Sequence, residues 1–105
     1  MADLEPGTPL SVAVTDTSEG PVVAVQGDLD VSNADQLAAV LDPLLKQQPT
    51  RVVFDLTDLR FMDSSGIAVL LRAAAAVPVR VTRPSPIVRR VIEATGLTDA
   101  LHVES

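Results

Sequence analysis

The run Arg51-Val52-Val53-Phe54-Asp55-Leu56, taken with the helical stretch and second apolar run after it, constrains the fold of this chain more than any other feature. It is short and nearly continuously apolar, which is the pattern of a central strand buried on both faces. A loop from Thr57 to Asp63 then leads into a helical stretch from Ser64 to about Ala76, on the order of 18–20 Å long at 1.5 Å per residue. Val79 to Thr82 reads as the next strand, with Pro78 at the first position, where proline is tolerated. A strand, helix, strand succession of this length requires a crossover and makes the two strands a parallel pair. The link Ala76-Val77-Pro78 is very short but within the range such loops span.

Around this unit the remaining elements are legible. Leu10-Ser11-Val12-Ala13-Val14-Thr15 alternates apolar and small polar residues, and Val22-Val23-Ala24-Val25 follows a turn from Asp16 to Pro21, so the two strands form an antiparallel hairpin. After Gly27-Asp28-Leu29-Asp30, Ser32 is placed to cap a helix and Asp35 to complete a capping box. Leu37, Val40, Leu41, Leu44 and Leu45 give that helix one apolar stripe. Pro43 should kink it or shorten it near Asp42, and the continuing stripe favours the kink. A last helix has Ser85 as its cap, Pro86 as its first residue and Gly96 as its stop. In it Ile87, Val88, Val91 and Ile92 face inward, while Arg89, Arg90 and Glu93 face water. Leu101 to Val103 is expected as a short edge strand. Residues 1–9, with Pro6, Gly7 and Pro9, read as a flexible leader, and residues 10–105 as one domain. The fold class is α/β: a mixed sheet of four to five strands opened by a hairpin and packed with three to four helices.

Composition excludes several functions. Aromatic residues make up 2% of the 105, so the core is aliphatic and stacking on bases is not supported. The net charge is −6 with Lys46 as the one lysine, which argues against nucleic-acid binding. With no cysteine, disulfides and thiolate-bound metals are ruled out. The N-terminus is not a signal peptide, and the stretch from Ile67 to Val79 is too short and too interrupted to span a bilayer. A cytoplasmic protein without membrane contact is expected.

The informative segment is Phe61-Met62-Asp63-Ser64-Ser65-Gly66-Ile67, where a polar quartet opens a helix. Ser64 is placed to cap that helix through a backbone amide in its first turn. Gly66 lets the backbone pass closely, or lie beside a partner, with no side chain in the way. Read alone, these residues describe an ordinary capped helix.

The segment resembles the signature of the STAS family, specifically the bacterial anti-sigma factor antagonists. Gly27-Asp28-Leu29-Asp30, Val52 to Leu56, Phe61-Met62-Asp63-Ser64-Ser65-Gly66 and the tail from Ser85-Pro86 to Thr95-Gly96-Leu97 carry the resemblance, over roughly residues 10–103 in order and spacing. It implies a small mixed sheet packed with helices. It implies also that Ser64, directly after the aspartate, is phosphorylated by a kinase that doubles as an anti-sigma factor. That ATP-binding serine kinase is the expected partner of the unmodified form, and a phosphatase would restore Ser64. Asp28, Asp30, Asp63, Ser64, Ser65 and Gly66 are the candidate partner-binding residues, although Asp28 and Asp30 serve equally as turn formers. The family usually has more residues between the second helix and the next strand than this chain has. No cofactor is implied.

Catalytic readings find little support. The only histidine, His102, is far from Ser64 in sequence, and Met62 stands where a nucleophile elbow needs its first glycine. No Gly-x-x-x-x-Gly-Lys loop exists. Asp55 at the end of a strand resembles a receiver's phospho-acceptor, but no lysine follows Lys46. Asp55, Asp58 and Asp63 could together bind a metal, yet solvated loop acids are far commoner. The rival within the family is a STAS module that regulates a transporter ATPase or builds a signalling assembly, without sigma-factor work.

Overall fold

The computed structural model describes residues 8–104. Alternating apolar residues at its start form the expected hairpin, with β1 (Ser11–Thr17) antiparallel to β2 (Gly20–Leu29). The turn is tighter than Asp16 to Pro21. The Thr17 hydroxyl donates to the Gly20 carbonyl at 2.7 Å and accepts the Glu19 amide at 3.1 Å, so both strands extend almost to the tip.

β2 is ten residues long and, besides β1, serves two parallel neighbours. Val22 to Ala24 pair in parallel with β3 (Val52–Asp55), and Gly27 to Leu29 pair in parallel with β4 (Leu59–Met62). β5 (Val79–Thr82) lies parallel on the far side of β3, giving the order β1-β2-β3-β5 with β4 on the outgoing end of β2. The change of neighbour occurs at a bulge between Gly27 and Asp28. Gly27 has φ +91, and a Cβ there would stand 2.1 Å from the Pro9 carbonyl oxygen, so the position requires glycine.

β4 corrects the reading of Thr57 to Asp63 as a loop. Its four residues are too few for a period, and only Leu59 and Met62 are buried. Burial on the sheet also differs from expectation. Val23, Val25, Leu29, Val52, Phe54, Leu56, Val79 and Val81 share the core with the helices, whereas Val53 and Asp55 are half-buried, so β3 is central in position but not buried on both faces.

Three helices complete the core: α1 (Ala34–Lys46), α2 (Ser64–Ala76) and α3 (Pro86–Ala94). They bury Leu37 and Leu41, then Ile67, Leu70 and Ala73, then Val88 and Ile92. α1 runs on through Pro43, three residues before its end, and forgoes the bond that an N–H at that position would donate to the Ala39 carbonyl. Val77 and Pro78 suffice to bring the chain from α2 into β5. Ile87, expected inward, is 56% exposed. Adjacent positions on a helix point about 100° apart, and α3 docks through Val88 and Ile92 instead. The expected edge strand at Leu101 to Val103 is a single parallel bridge, Val103 beside Val81.

Of the expected leader, residues 1–7 lie outside the described residues. Thr8 is held: its amide donates to Asp28 Oδ2 at 3.1 Å and its carbonyl accepts the Asp28 amide at 3.0 Å.

Candidate functional site

The parallel pairing of β2 with β4 brings two separate sequence motifs to one corner. Asp28 lies opposite Phe61 and Leu29 opposite Met62, and the Asp63 amide extends the ladder by donating to the Leu29 carbonyl at 3.2 Å. Each strand then turns directly into a helix, β2 through Asp30 to Asn33 and β4 through Asp63. Asp28, Asp30, Asp63, Ser64 and Ser65 therefore gather at the outgoing ends of two neighbouring strands.

The caps are set one residue away from where the sequence places them. Asp63, not Ser64, caps α2: its Oδ1 accepts the Ser65 amide at 2.8 Å, and its carbonyl accepts the Gly66 and Ile67 amides at 3.1 and 3.3 Å. Ser64 becomes the first helical residue and is exposed; its hydroxyl enters none of the side-chain hydrogen bonds among the described residues. At α1 the cap is Asn33, not Ser32, and its side chain serves the preceding turn instead of the helix. Asn33 Oδ1 accepts the Asp30 amide at 2.9 Å and Nδ2 donates to the Asp28 carbonyl at 2.8 Å. Asp30 Oδ1 in turn accepts the Ser32 amide at 2.9 Å and the Ser32 hydroxyl at 2.5 Å. Of the two uses offered for Asp28 and Asp30, these bonds display turn formation for Asp30, whereas the Asp28 carboxylate holds the Thr8 amide.

Gly66 lies beneath the corner and is buried. An added Cβ would stand 2.6 Å from Met62 Cγ and 2.7 Å from Leu29 Cδ2. Its close approach is to the protein's own strand ends, which seats the first turn of α2 directly on the core.

Two apolar residues flank the corner that sequence reasoning did not single out. Val31, next to Asp30, is 80% exposed, and Phe61, two residues before Asp63, is 43% exposed. The signal was present: a β-branched residue in the otherwise polar turn Asp30-Val31-Ser32-Asn33 has no core to serve. Beside β4 lies a cleft of about 600 Å³, lined by Leu59, Arg60, Ser85, Pro86 and the exposed Ile87. Ser85 closes its inner wall by donating from Oγ to the Leu59 carbonyl at 2.7 Å.

The alternative chemistries do not converge on this corner. Asp55 Oδ1 accepts the Thr57 amide and hydroxyl at 3.1 and 2.7 Å, and among the described residues no three metal-ligating side chains cluster. No described helix is long and apolar enough to cross a membrane.

Residues 12–103 match a family described as "Mlab, STAS domain". The anti-sigma F factor antagonist of Lysinibacillus sphaericus is 34% identical, over 77% of this chain and 74% of that protein. The chain belongs to the STAS-domain anti-sigma factor antagonist family. Solved relatives share the arrangement. An anti-sigma factor antagonist from Mycobacterium paratuberculosis superposes with a TM-score of 0.84 at 25% identity, covering 90% of this chain and 85% of that one. The antagonist SpoIIAA in unphosphorylated form gives a TM-score of 0.72 at 28% identity, covering 92% and 89%. Bacillus SpoIIAA in phosphorylated form gives 0.66 at 26%, covering 92% of each chain. The STAS fold thus includes the five-stranded mixed sheet, its opening hairpin and the three helices α1 to α3.

Proposed function

We propose that this STAS domain is an anti-sigma factor antagonist worked by a phosphate on Ser64. In the unmodified state it binds an anti-sigma factor that is also an ATP-dependent serine kinase, and so releases the sigma factor in the cytoplasm. Transfer of the γ-phosphoryl group to Ser64 Oγ, with ADP leaving, ends the interaction, and a phosphatase reverses it. The observation that supports this most is the uncommitted, exposed hydroxyl of Ser64 on a helix start seated against the core. That a relative has been solved in both unphosphorylated and phosphorylated forms supports it further.

The physics of the added group favours a switch at the interface over a switch in the fold. Phosphoserine carries roughly −1.5 to −2 charges at neutral pH. At a helix N-terminus this charge is stabilised by about 0.3–1 kcal/mol. In a docked complex the same charge would be desolvated beside Asp63, against a surface shaped for a hydroxyl. A penalty of about 3–5 kcal/mol corresponds to binding weakened on the order of a hundred- to several-thousand-fold. Asp28, Asp30, Asp63, Ser65 and the exposed Val31 and Phe61 form the rest of the proposed contact, with Gly66 supporting it from below.

The test is mass spectrometry of the protein from its own host, combined with capture of partners by the unmodified and phosphorylated forms. A phosphate on Ser64, and retention of an ATP-binding kinase by the unmodified form alone, are expected. A site that stays bare under all growth conditions, with a transporter ATPase captured instead, would overturn the reading.

A further inference from the structure

A second site lies at the opposite ends of the parallel strands, away from Ser64. Arg51 immediately precedes β3, and Arg80 is the second residue of β5. Val53 lies opposite Arg80 in the register, and Arg51, two residues before Val53, shares its face of the sheet. On the next position outward, the bridge between Val81 and Val103 brings His102 beside β5, where it borders the same cavity as Arg80. The backbone of His102 is held there at φ +50, with its amide donating to the Asp99 carbonyl at 3.1 Å and its carbonyl accepting the Val81 amide at 3.3 Å.

These three side chains, with Pro78 and Val79, line a small cavity of about 170 Å³. Among the described residues, no carboxylate lines it. In a chain of net charge −6, one small cavity thus holds two of the eight basic side chains and the only histidine. Carboxylates stand at the rim: Glu104 meets Arg80 Nε at 3.0 Å and Glu19 comes within 3.9 Å of Arg51 Nη1. The first pairing engages Nε and steadies the guanidinium, and the second is too long for a strong hydrogen bond. Arg80 and His102 also border a larger cleft of about 530 Å³ with Thr98, Asp99 and Glu104, whose oxygens can accept from hydroxyl or amine groups.

The geometry points to a binding site for a phosphate group, free or as the ester of a small polar molecule. The phosphate sits between Arg51, Arg80 and His102, and the remainder of an ester lies in the larger cleft. Guanidinium forks suit phosphate oxygens in charge and in shape. The site is independent of Ser64 and of the proposed partner surface.

Because the chain has one histidine, the His102 ring protons give an unobscured NMR signal. The test follows that signal at fixed pH during titration with inorganic phosphate, with glycerol 3-phosphate and with sodium chloride at matched ionic strength. A saturable shift with both phosphates and none with chloride is expected. Arg80→Gln and Arg51→Gln should each weaken binding about tenfold or more, the loss of a charged hydrogen bond. Arg72→Gln, on α2 and paired with Asp42, should titrate as the parent does. Tighter binding of the ester would assign its remainder to the larger cleft, and equal binding would confine recognition to the phosphate; either supports the site. A shift that chloride reproduces, or that survives in both variants with their melting temperatures unchanged, would overturn it.

Discussion

Asp63 Oδ1 receives the Ser65 amide at 2.8 Å, bridging over Ser64 and leaving that residue's hydroxyl outside the cap. The aspartate of the Asp-Ser-Ser-Gly quartet does the structural work, so the first serine is free for another use. A change at Ser64 and a change at Asp63 should therefore have opposite consequences.

For Ser64, folding should be indifferent and binding should not. Ser64→Ala and Ser64→Asp are expected to melt within about 0.5 kcal/mol of the parent, the range of ordinary surface substitutions. Against the proposed anti-sigma kinase, titration calorimetry should find the alanine variant binding as the unmodified protein does. The aspartate variant should bind at least about tenfold more weakly, a lower bound because it carries less charge than a phosphate. A grossly unfolded aspartate variant would refute the interface account.

Asp63→Ala should lower stability by about 1 kcal/mol, within the range of about 0.5–2 kcal/mol known for lost caps. In a domain near this size that lowers Tm by about 4–8 °C. Asp63→Asn keeps an acceptor at the same place and should recover most of the loss. Circular dichroism melts of the pair are sufficient to check this.

Gly66→Ala sets two effects against each other. Alanine improves helix propensity by about 1 kcal/mol. Its methyl group, however, would enter space held by Met62 and Leu29, both wholly buried and unable to withdraw. Overpacking costs about 1–3 kcal/mol, so net destabilisation of up to about 2 kcal/mol is expected from chemical denaturation. A variant more stable than the parent would show that α2 is less firmly seated on the strand ends than these distances require.

Val31→Ala should be nearly silent in stability, since the side chain is 80% exposed. Binding to the partner should weaken on the order of tenfold if Val31 is an apolar anchor beside Ser64. Unchanged affinity in both Val31→Ala and Phe61→Ala would remove these residues from the proposed surface.

Much of the fold was legible in the chain because distinct signals agreed. The run Val52 to Leu56, the helix after it and the short link at Val77-Pro78 all required a crossover, and β3 and β5 are indeed parallel. β4 was hidden because its two buried residues, Leu59 and Met62, are separated by the exposed Arg60 and Phe61, which leaves no period of two. The caps were misplaced by one because Ser32 and Asn33, like Asp63 and Ser64, are adjacent residues of equal capping ability. The choice is made by backbone groups outside the helices: Asn33 is recruited by the backbone of Asp28 and Asp30, and Asp63 is fixed by Leu29. The exposure of Ile87 was equally hidden, since a pattern of apolar residues records which could be buried and not which are.

The absence of a side chain at Gly66 has a consequence for how such a surface can diversify. Because helix and strands meet there without slack, the place of the serine is inherited from the interior, and cannot drift while the protein still folds. Novel pairings must then come from the rim, where Val31 and Phe61 can be exchanged at little cost. With Ser64 as the proposed switch, related domains would keep one trigger and tell partners apart by the residues around it.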